Sequence, residues 1–362
     1  MAFALATPAY LFASSTGIDN NNFYLKEETT DRDTTIPLPP LAAIQLSSQV
    51  NSAAFDTLRR LIDDRYSYKD IREINWDNLF GSYEQSLLQA PTPPDFGKIT
   101  AEMLSNAKDR HIWVRAGDQQ LPVYHKKPIK NVNDKHIQDN FAFSQQLSKD
   151  VAIAALKTNP EIGYLFIGSW KNKEDVPLAI EGIDRLADKT AILIDLRANS
   201  GGSDTNASGV FSHLTDKKTV YEKWIVRDPV YPGGWSELRE AVIAPSEGLP
   251  HYKGRIVVLS GQVCMSACEG SLLMLRAIGG AIIGDTSRGS TGAPKEYDLG
   301  NGVTVGLPSM KAYIPDGTLV EGNGIKPDTY VEFIEGYDYG SRDPVLDAAV
   351  EYIKRQQSLG TR

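Results

Sequence analysis

The sequence predicts an α/β fold, and two observations predict it. Between residues 162 and 284, short apolar runs of strand length alternate with stretches whose apolar residues recur at helical spacing. Strand–helix–strand alternation of this kind builds a sheet covered by helices. Before it, from residue 41, helical spacing continues without an intervening strand, which predicts a small helical subdomain in front of the core.

The elements follow in chain order. Residues 1–40 are rich in Asn, Asp, Thr and Pro beyond their first apolar stretch and read as an irregular lead-in. That stretch, residues 2–13, is followed by small residues but has no Lys or Arg before Lys26, so a standard export signal lacks its positive region. It reads as an atypical signal, the remnant of one, or a segment packed on the core. In residues 41–110, Phe55, Leu58, Leu61 and Ile62 share one helix face. Trp76, Leu79, Phe80, Tyr83 and Leu87 share a second, and Phe96, Ile99, Met103 and Leu104 a third. A Pro-rich break at residues 90–94 separates the last two helices, with Asp95 as the expected cap. The core is expected over residues 111–350. A helix is predicted over 140–156, strands over 162–170, 191–196, 255–259 and 281–284, and helices over 177–187, 204–214 and after Ser266. The segment 221–252, rich in Pro, Gly and aromatics, reads either as a substrate-covering loop or as a packed surface excursion. The five tryptophans read as core or lid packing.

Composition narrows the function. A formal net charge of −8 over 362 residues, with no Lys/Arg-rich run, argues against a nucleic-acid surface. No apolar run approaches the ~20 residues needed to span a bilayer. We expect a soluble chain, and the sequence leaves export open. Cys264 and Cys268 are the only cysteines, so no disulfide framework is expected, and a buried, quiet role is assigned to both. No His/Cys cluster calls for a metal, and nothing calls for a cofactor. Asn206-Ala207-Ser208 fits a glycosylation sequon, but on a predicted helix it reads as incidental.

Four segments carry candidate chemistry. In Val263-Cys264-Met265-Ser266-Ala267-Cys268-Glu269, a serine stands at a strand-to-helix junction, where orphan N–H groups and the positive helix end can stabilise an oxyanion. Such a serine needs a base and a second oxyanion donor. Asp195-Leu196-Arg197-Ala198-Asn199-Ser200-Gly201-Gly202 follows a buried strand, and its paired glycines let the backbone turn sharply and present N–H groups. Asp195 and Arg197 read as a structural ion pair or loop clamp. Asp109-Arg110-His111 offers a base. The five histidines, His111, His125, His136, His213 and His251, all precede Ser266, which excludes the serine–acid–histidine order of α/β-hydrolases. The fourth segment, Val320-Glu321-Gly322-Asn323-Gly324-Ile325-Lys326-Pro327-Asp328, is by itself a turn-rich loop.

Together these segments resemble, in order and spacing, the tricorn-like, C-terminal-processing serine peptidase family over residues 50–350. Ser266-Ala267-Cys268-Glu269 resembles the family's nucleophile motif, and Asp195 to Gly202 its Asp-Leu-Arg-x-Asn-x-Gly-Gly signature. Gly284-Asp285-Thr286-Ser287-Arg288-Gly289 resembles the turn after the next strand, and Glu321 to Asp328 the closing Glu-x-x-Gly-x-x-Pro-Asp. The resemblance implies a crotonase-like core with a mixed sheet. It also implies a peptide or protein substrate.

The family's processing branch uses a lysine after the glycine of that turn, where this chain has Ser290 and then Thr291; the nearest lysine is Lys295. The tricorn-like branch uses an upstream histidine with a glutamate, which match His111 and Glu321. The resemblance thus implies Ser266 as nucleophile, His111 as base, Glu321 as its support, and an oxyanion hole from the N–H of Ala267 with that of Gly201 or Gly202. Arg110 stands where the tricorn archetype has a serine, which leaves the orientation of His111 open. The interval between His111 and Ile162 is too short for the PDZ domain of many relatives. Two alternatives remain: an acyl hydrolase or esterase with the same machinery, and a silent ligand-binding relative. Intact Ser266, His111 and paired glycines favour an enzyme over the silent relative. Oligomeric state is not encoded legibly.

Overall fold

The computed structural model describes residues 44–134, 136–246 and 252–359; the lead-in, its apolar stretch and His251 lie outside the described residues. Three helices come first. α1 (Ser48–Asp64) starts at Ser47, whose hydroxyl accepts from Val50 N, and α2 (Trp76–Leu88) starts at Asn75, whose amide oxygen accepts from Asn78 N. α3 (Pro93–Ser105) opens with two prolines, whose missing N–H groups cost nothing in a first turn. Its cap is Thr92, not Asp95. The Thr92 hydroxyl accepts from Asp95 N and bonds the Asp95 carboxylate, which lies inside the first turn.

The chain continues through β1 (Trp113–Ala116), β2 (Gln119–Leu121), β3 (Phe141–Gln146), β4 (Val151–Leu156), β5 (Ile162–Ile167), α4 (Asp175–Arg185), β6 (Ala191–Asp195) and α5 (Asp204–Phe211). It then runs through β7 (Thr219–Val226), β8 (Arg239–Ile243), β9 (Arg255–Ser260), α6 (Ala267–Ala277), β10 (Ala281–Gly284), β11 (Pro294–Asp298), β12 (Val303–Pro308), β13 (Met310–Tyr313), β14 (Thr329–Tyr330) and α7 (Pro344–Leu359).

The central sheet has the order β14-β10-β9-β6-β5-β4-β3 among the described residues, parallel from β14 to β5 and antiparallel at β4 and β3. Its inner strands β4, β5, β6 and β9 are apolar on both faces because both faces are covered. Ile192 and Ile194 of β6, with Ile256 and Val258 of β9, pack among α4, α5 and α6. Their neighbours Leu193, Val257 and Leu259 face Val345, Leu346 and Ile353 of α7.

The helix expected over 140–156 is instead the β3–β4 hairpin, turned at Ser148, whose hydroxyl accepts from Asp150 N and Val151 N. Alanine and glutamine favour helix locally, but β4 has its residues buried on both sides of the sheet, and tertiary burial overrides propensity. The segment 221–252 likewise contributes strands: β7 pairs with β8 on one side and β13 on the other in a small antiparallel sheet. A four-stranded antiparallel sheet, β11-β12-β1-β2, closes over α1–α3, where Val114, Ala116, Val303 and Val305 join Leu58, Phe80 and Phe96 in one core. His111 sits just before β1, so this core anchors it.

Asn206, the sequon asparagine, is buried and donates to the Trp170 carbonyl at 2.9 Å, so it is spent on structure.

Candidate active site

Ser266 caps α6 six residues beyond the end of β9, with φ 56° and ψ −129°. A non-glycine residue at positive φ is strained and persists only where its surroundings hold it. Here they do. Ser266 N–H donates to the Ser290 carbonyl at 2.8 Å and to the Glu269 carboxylate at 3.2 Å. The cysteines on either side, expected to be quiet thiols, form a Cys264–Cys268 disulfide across it. Spacing alone misses this, because a pair four residues apart fits a bridge only if the backbone turns sharply between them.

Gly201 and Gly202 lie against this junction. A Cβ added to Gly201 would fall 2.9 Å from Ser266 Cβ and 3.3 Å from Ala267 N, and φ at Gly201 is +100°. A Cβ on Gly202 would strike the Trp170 backbone at 2.3 Å. The two expected donors differ. Gly201 N–H already donates to Asn199 Oδ1 at 2.8 Å, whereas no hydrogen bond among the described residues uses Gly202 N–H or Ala267 N–H.

His111 is buried, and its Nδ1 lies 3.0 Å from Ser290 Oγ. Burial pushes its pKa below the usual imidazole value, against the pull of Asp109. Asp109 Oδ1 accepts the His111 N–H at 2.8 Å, which fixes the backbone beneath the ring. Among the described residues no hydrogen bond links the His111 ring to the Ser266 hydroxyl; the two meet through Ser290. Its hydroxyl faces the imidazole while its carbonyl holds Ser266 N–H.

Glu321 does not touch the ring. Its carboxylate accepts from Arg72 Nη2 at 2.5 Å and from Thr291 N at 2.8 Å. Arg72 also donates to Asp109 Oδ2 at 2.6 Å, so Glu321 reaches the histidine segment through a guanidinium. Burial and then the Asp109 charge push Glu321 up to about 8, against the pull of Arg72.

Sequence reasoning gave no role to Glu269, Ser290 or Arg72. The Glu269 carboxylate accepts from Ser287 Oγ (2.6 Å), Gly289 N (2.7 Å), Ser290 N (3.0 Å) and Ser266 N, tying the 287–290 turn to the serine. Burial raises it to about 7 despite these four donors. The glutamate of the Ser-x-x-Glu spacing was a visible capping-box signal. Lys295, the nearest lysine, is exposed on β11. Of the other described histidines, His125 is exposed, His136 is half-buried, and His213 Nδ1 lies 3.1 Å from the Gly209 carbonyl of α5.

Two sequence profiles match: Peptidase family S41 over residues 161–331, which spans β5 to β14, and the Tricorn protease C1 domain over residues 51–105, which spans α1 to α3. Residues 161–331 carry the peptidase family S41 domain, and the protein is a serine peptidase.

The fold of this peptidase is similar to that of a peptidase from Parabacteroides merdae (20% identity, TM-score 0.71, 85% of this chain and 96% of that one). It is also similar to mature CPAF complexed with lactacystin (12%, TM-score 0.57, 86% and 99%). Against the tricorn protease the identity is 14% and the TM-score 0.55, with 85% of this chain but 37% of tricorn covered. No protein of curated function matches the sequence. Among the described residues, no helix is long and apolar enough to cross a membrane.

Proposed function

We propose that the peptidase cleaves peptide bonds with Ser266 as nucleophile and His111 as general base, on a crotonase-like core (residues 111–350) fronted by the helical subdomain (residues 41–110). The observation that carries this reading is Ser290, whose two oxygens hold the imidazole of His111 and the backbone of Ser266 in one frame. With Nδ1–H donating to Ser290 Oγ, Nε2 keeps its lone pair for the Ser266 proton. The reaction then requires the serine hydroxyl to turn toward Nε2.

Attack on the substrate carbonyl places the oxyanion at the N-terminus of α6. Ala267 N–H and Gly202 N–H are the donors left over for it, with Gly201 serving as the close-packed hinge that keeps the hole open. His111 then delivers its proton to the leaving amine, and water, deprotonated in turn by His111, releases the acyl group. Glu321 acts at two removes. Through Arg72 it holds Asp109, and Asp109 holds the His111 backbone.

A fluorophosphonate probe tests the assignment. Labelling of the wild type is expected to vanish in Ser266→Ala, to fall by ~10² or more in His111→Ala, and to persist in Lys295→Ala. Labelling that survives Ser266→Ala moves the nucleophile elsewhere. Full labelling of His111→Ala with loss in Lys295→Ala replaces the histidine by a lysine base.

A further inference from the structure

We propose that the basic recess next to Ser290 is a substrate subsite that takes a carboxylate. This rests on the peptidase reading above and names a chemical group its substrate carries. The recess, a cavity of about 380 Å³, has Gly289 and Ser290 among its lining residues and presents Arg72, Lys108, Arg110, Lys126 and Arg288. Two acids line it, Asp285 and Glu321, and both are engaged. Asp285 accepts from Gln262 Nε2 and Thr286 N, and Glu321 accepts from Arg72 and Thr291 N. Arg72 is spent on Glu321 and Asp109, which leaves four cations against the engaged Asp285, a local reversal of sign in a chain whose net charge is −8.

Arg110 and Arg288 decide the ligand. They come from chain segments far apart in sequence, one directly before His111 and the other two residues before Ser290. Both donate to a single neutral acceptor, the Lys126 carbonyl, at 2.7 and 3.0 Å. Neither forms an ion pair among the described residues, and Arg288 Nε is buried without a partner. Two guanidiniums drawn together by one carbonyl repel each other, and unspent donors in a concave site are costly. Burial and the neighbouring Arg110 charge bring Arg288 down to about 10. A planar carboxylate relieves all three penalties by accepting from both forks. In a peptide that group is either the C-terminal carboxylate or an Asp or Glu side chain near the scissile bond.

The test separates these sources and does not need catalysis. Three pools of fluorescein-labelled hexapeptides are titrated into the full-chain Ser266→Ala variant by anisotropy. One pool has neutral side chains and a C-terminal amide, one neutral side chains and a free C-terminus, and one acidic side chains and a C-terminal amide. At least one carboxylate-bearing pool is expected to bind tenfold or more tightly than the neutral amide pool. Which pool does so identifies the source. The preference should disappear when Arg110→Met and Arg288→Met are added, and be partly rescued by Arg288→Lys. Where the double variant does not fold, Arg288→Gln alone is expected to remove at least half of the preference on the logarithmic scale. Equal binding of all three pools, or a preference that survives loss of the arginines, overturns the subsite. A wild type that resists fluorophosphonate while the preference holds overturns the catalytic assignment instead.

Discussion

Two arginine clamps in this molecule are built from the same parts and do different work. Arg197 lies between Asp195 and Asp343, with Tyr164 Oη donating to Asp195 Oδ2 at 2.6 Å. Arg72 lies between Asp109 and Glu321, with Tyr66 Oη donating to Asp109 Oδ2 at 2.9 Å. The first clamp is wholly buried. It ties the end of β6 to the first turn of α7, where Asp343 Oδ1 accepts from Val345 N and Leu346 N. The second is reached by solvent at its arginine and links the N-terminal helices to the histidine segment and to the 290–291 strand entry. The difference teaches that an arginine between two carboxylates is a fold element when its partners secure secondary structure. It becomes a positioning element when they secure a reacting group.

The largest effect is expected at Arg197. Arg197→Met leaves two carboxylates buried without their cation, a loss of about 3–5 kcal/mol for removing one partner of a buried pair. The thermal unfolding midpoint is expected to fall by roughly 4–7 °C, with aggregation on expression. Material that does fold should keep its kcat/KM. A Tm within two degrees of wild type would show that this clamp does not secure the fold.

Arg72→Met should reverse the pattern. Its stability loss is expected to be smaller, because Glu321, pushed up to about 8, already keeps its proton at neutral pH and is not left as a bare charge when its partner goes. The kcat/KM is expected to fall 10- to 100-fold, mostly in kcat, since Asp109 no longer holds His111 square to Ser290. Unchanged kinetics with a large fall in Tm would make both clamps structural.

Local patterns carried much of this. The strand before Gly201, the serine at the head of α6 and the paired glycines are all written in runs of fewer than ten residues, and the fold keeps those runs intact. The clamps were half legible. Asp195 and Arg197 share a motif, so a structural pair was readable there, but Asp343 lies 146 residues away from Arg197. Arg72 and Glu321 are separated by 249 positions and Ser290 and His111 by 179. No periodicity encodes such a meeting; the packing of α1–α3 against β12 creates it. The β3–β4 hairpin was misread for the complementary reason. Its residues favour helix when alone, and only pairing with β5 makes them strands.

A pH series sharpens the contrast between the clamps. Glu321, raised from 4.5 to about 8, keeps a proton in the native state that the unfolded chain has already lost between those values. Stability should therefore decline as pH rises from 4.5 through 8, by up to about 1 kcal/mol per unit, and Glu321→Gln should flatten that slope. His111 acts with the opposite sign. Its lowered pKa means the native state binds fewer protons just below pH 6.5, so stability declines as pH falls below that value, and the acid limb of kcat/KM should lie below 6.5. Urea unfolding at half-unit intervals measures both. An identical slope in wild type and Glu321→Gln would remove Glu321 as its source.

The smallest and most discriminating change is one hydroxyl in each clamp. Tyr164→Phe removes the donor to Asp195, and Tyr66→Phe removes the group that donates to Asp109 and accepts from Arg72 Nε at 2.8 Å. Each deletes hydrogen bonding to a charged partner, worth about 1.5–3 kcal/mol, without opening a cavity or stranding a charge. Stability should thus fall by similar amounts in both. Catalysis should not: kcat/KM is expected to drop a few-fold in Tyr66→Phe alone, because only there does the loosened carboxylate carry the N–H of the base. If Tyr164→Phe slows turnover equally, the hydroxyls act through global softening, and the division between a clamp for the fold and a clamp for the histidine does not hold.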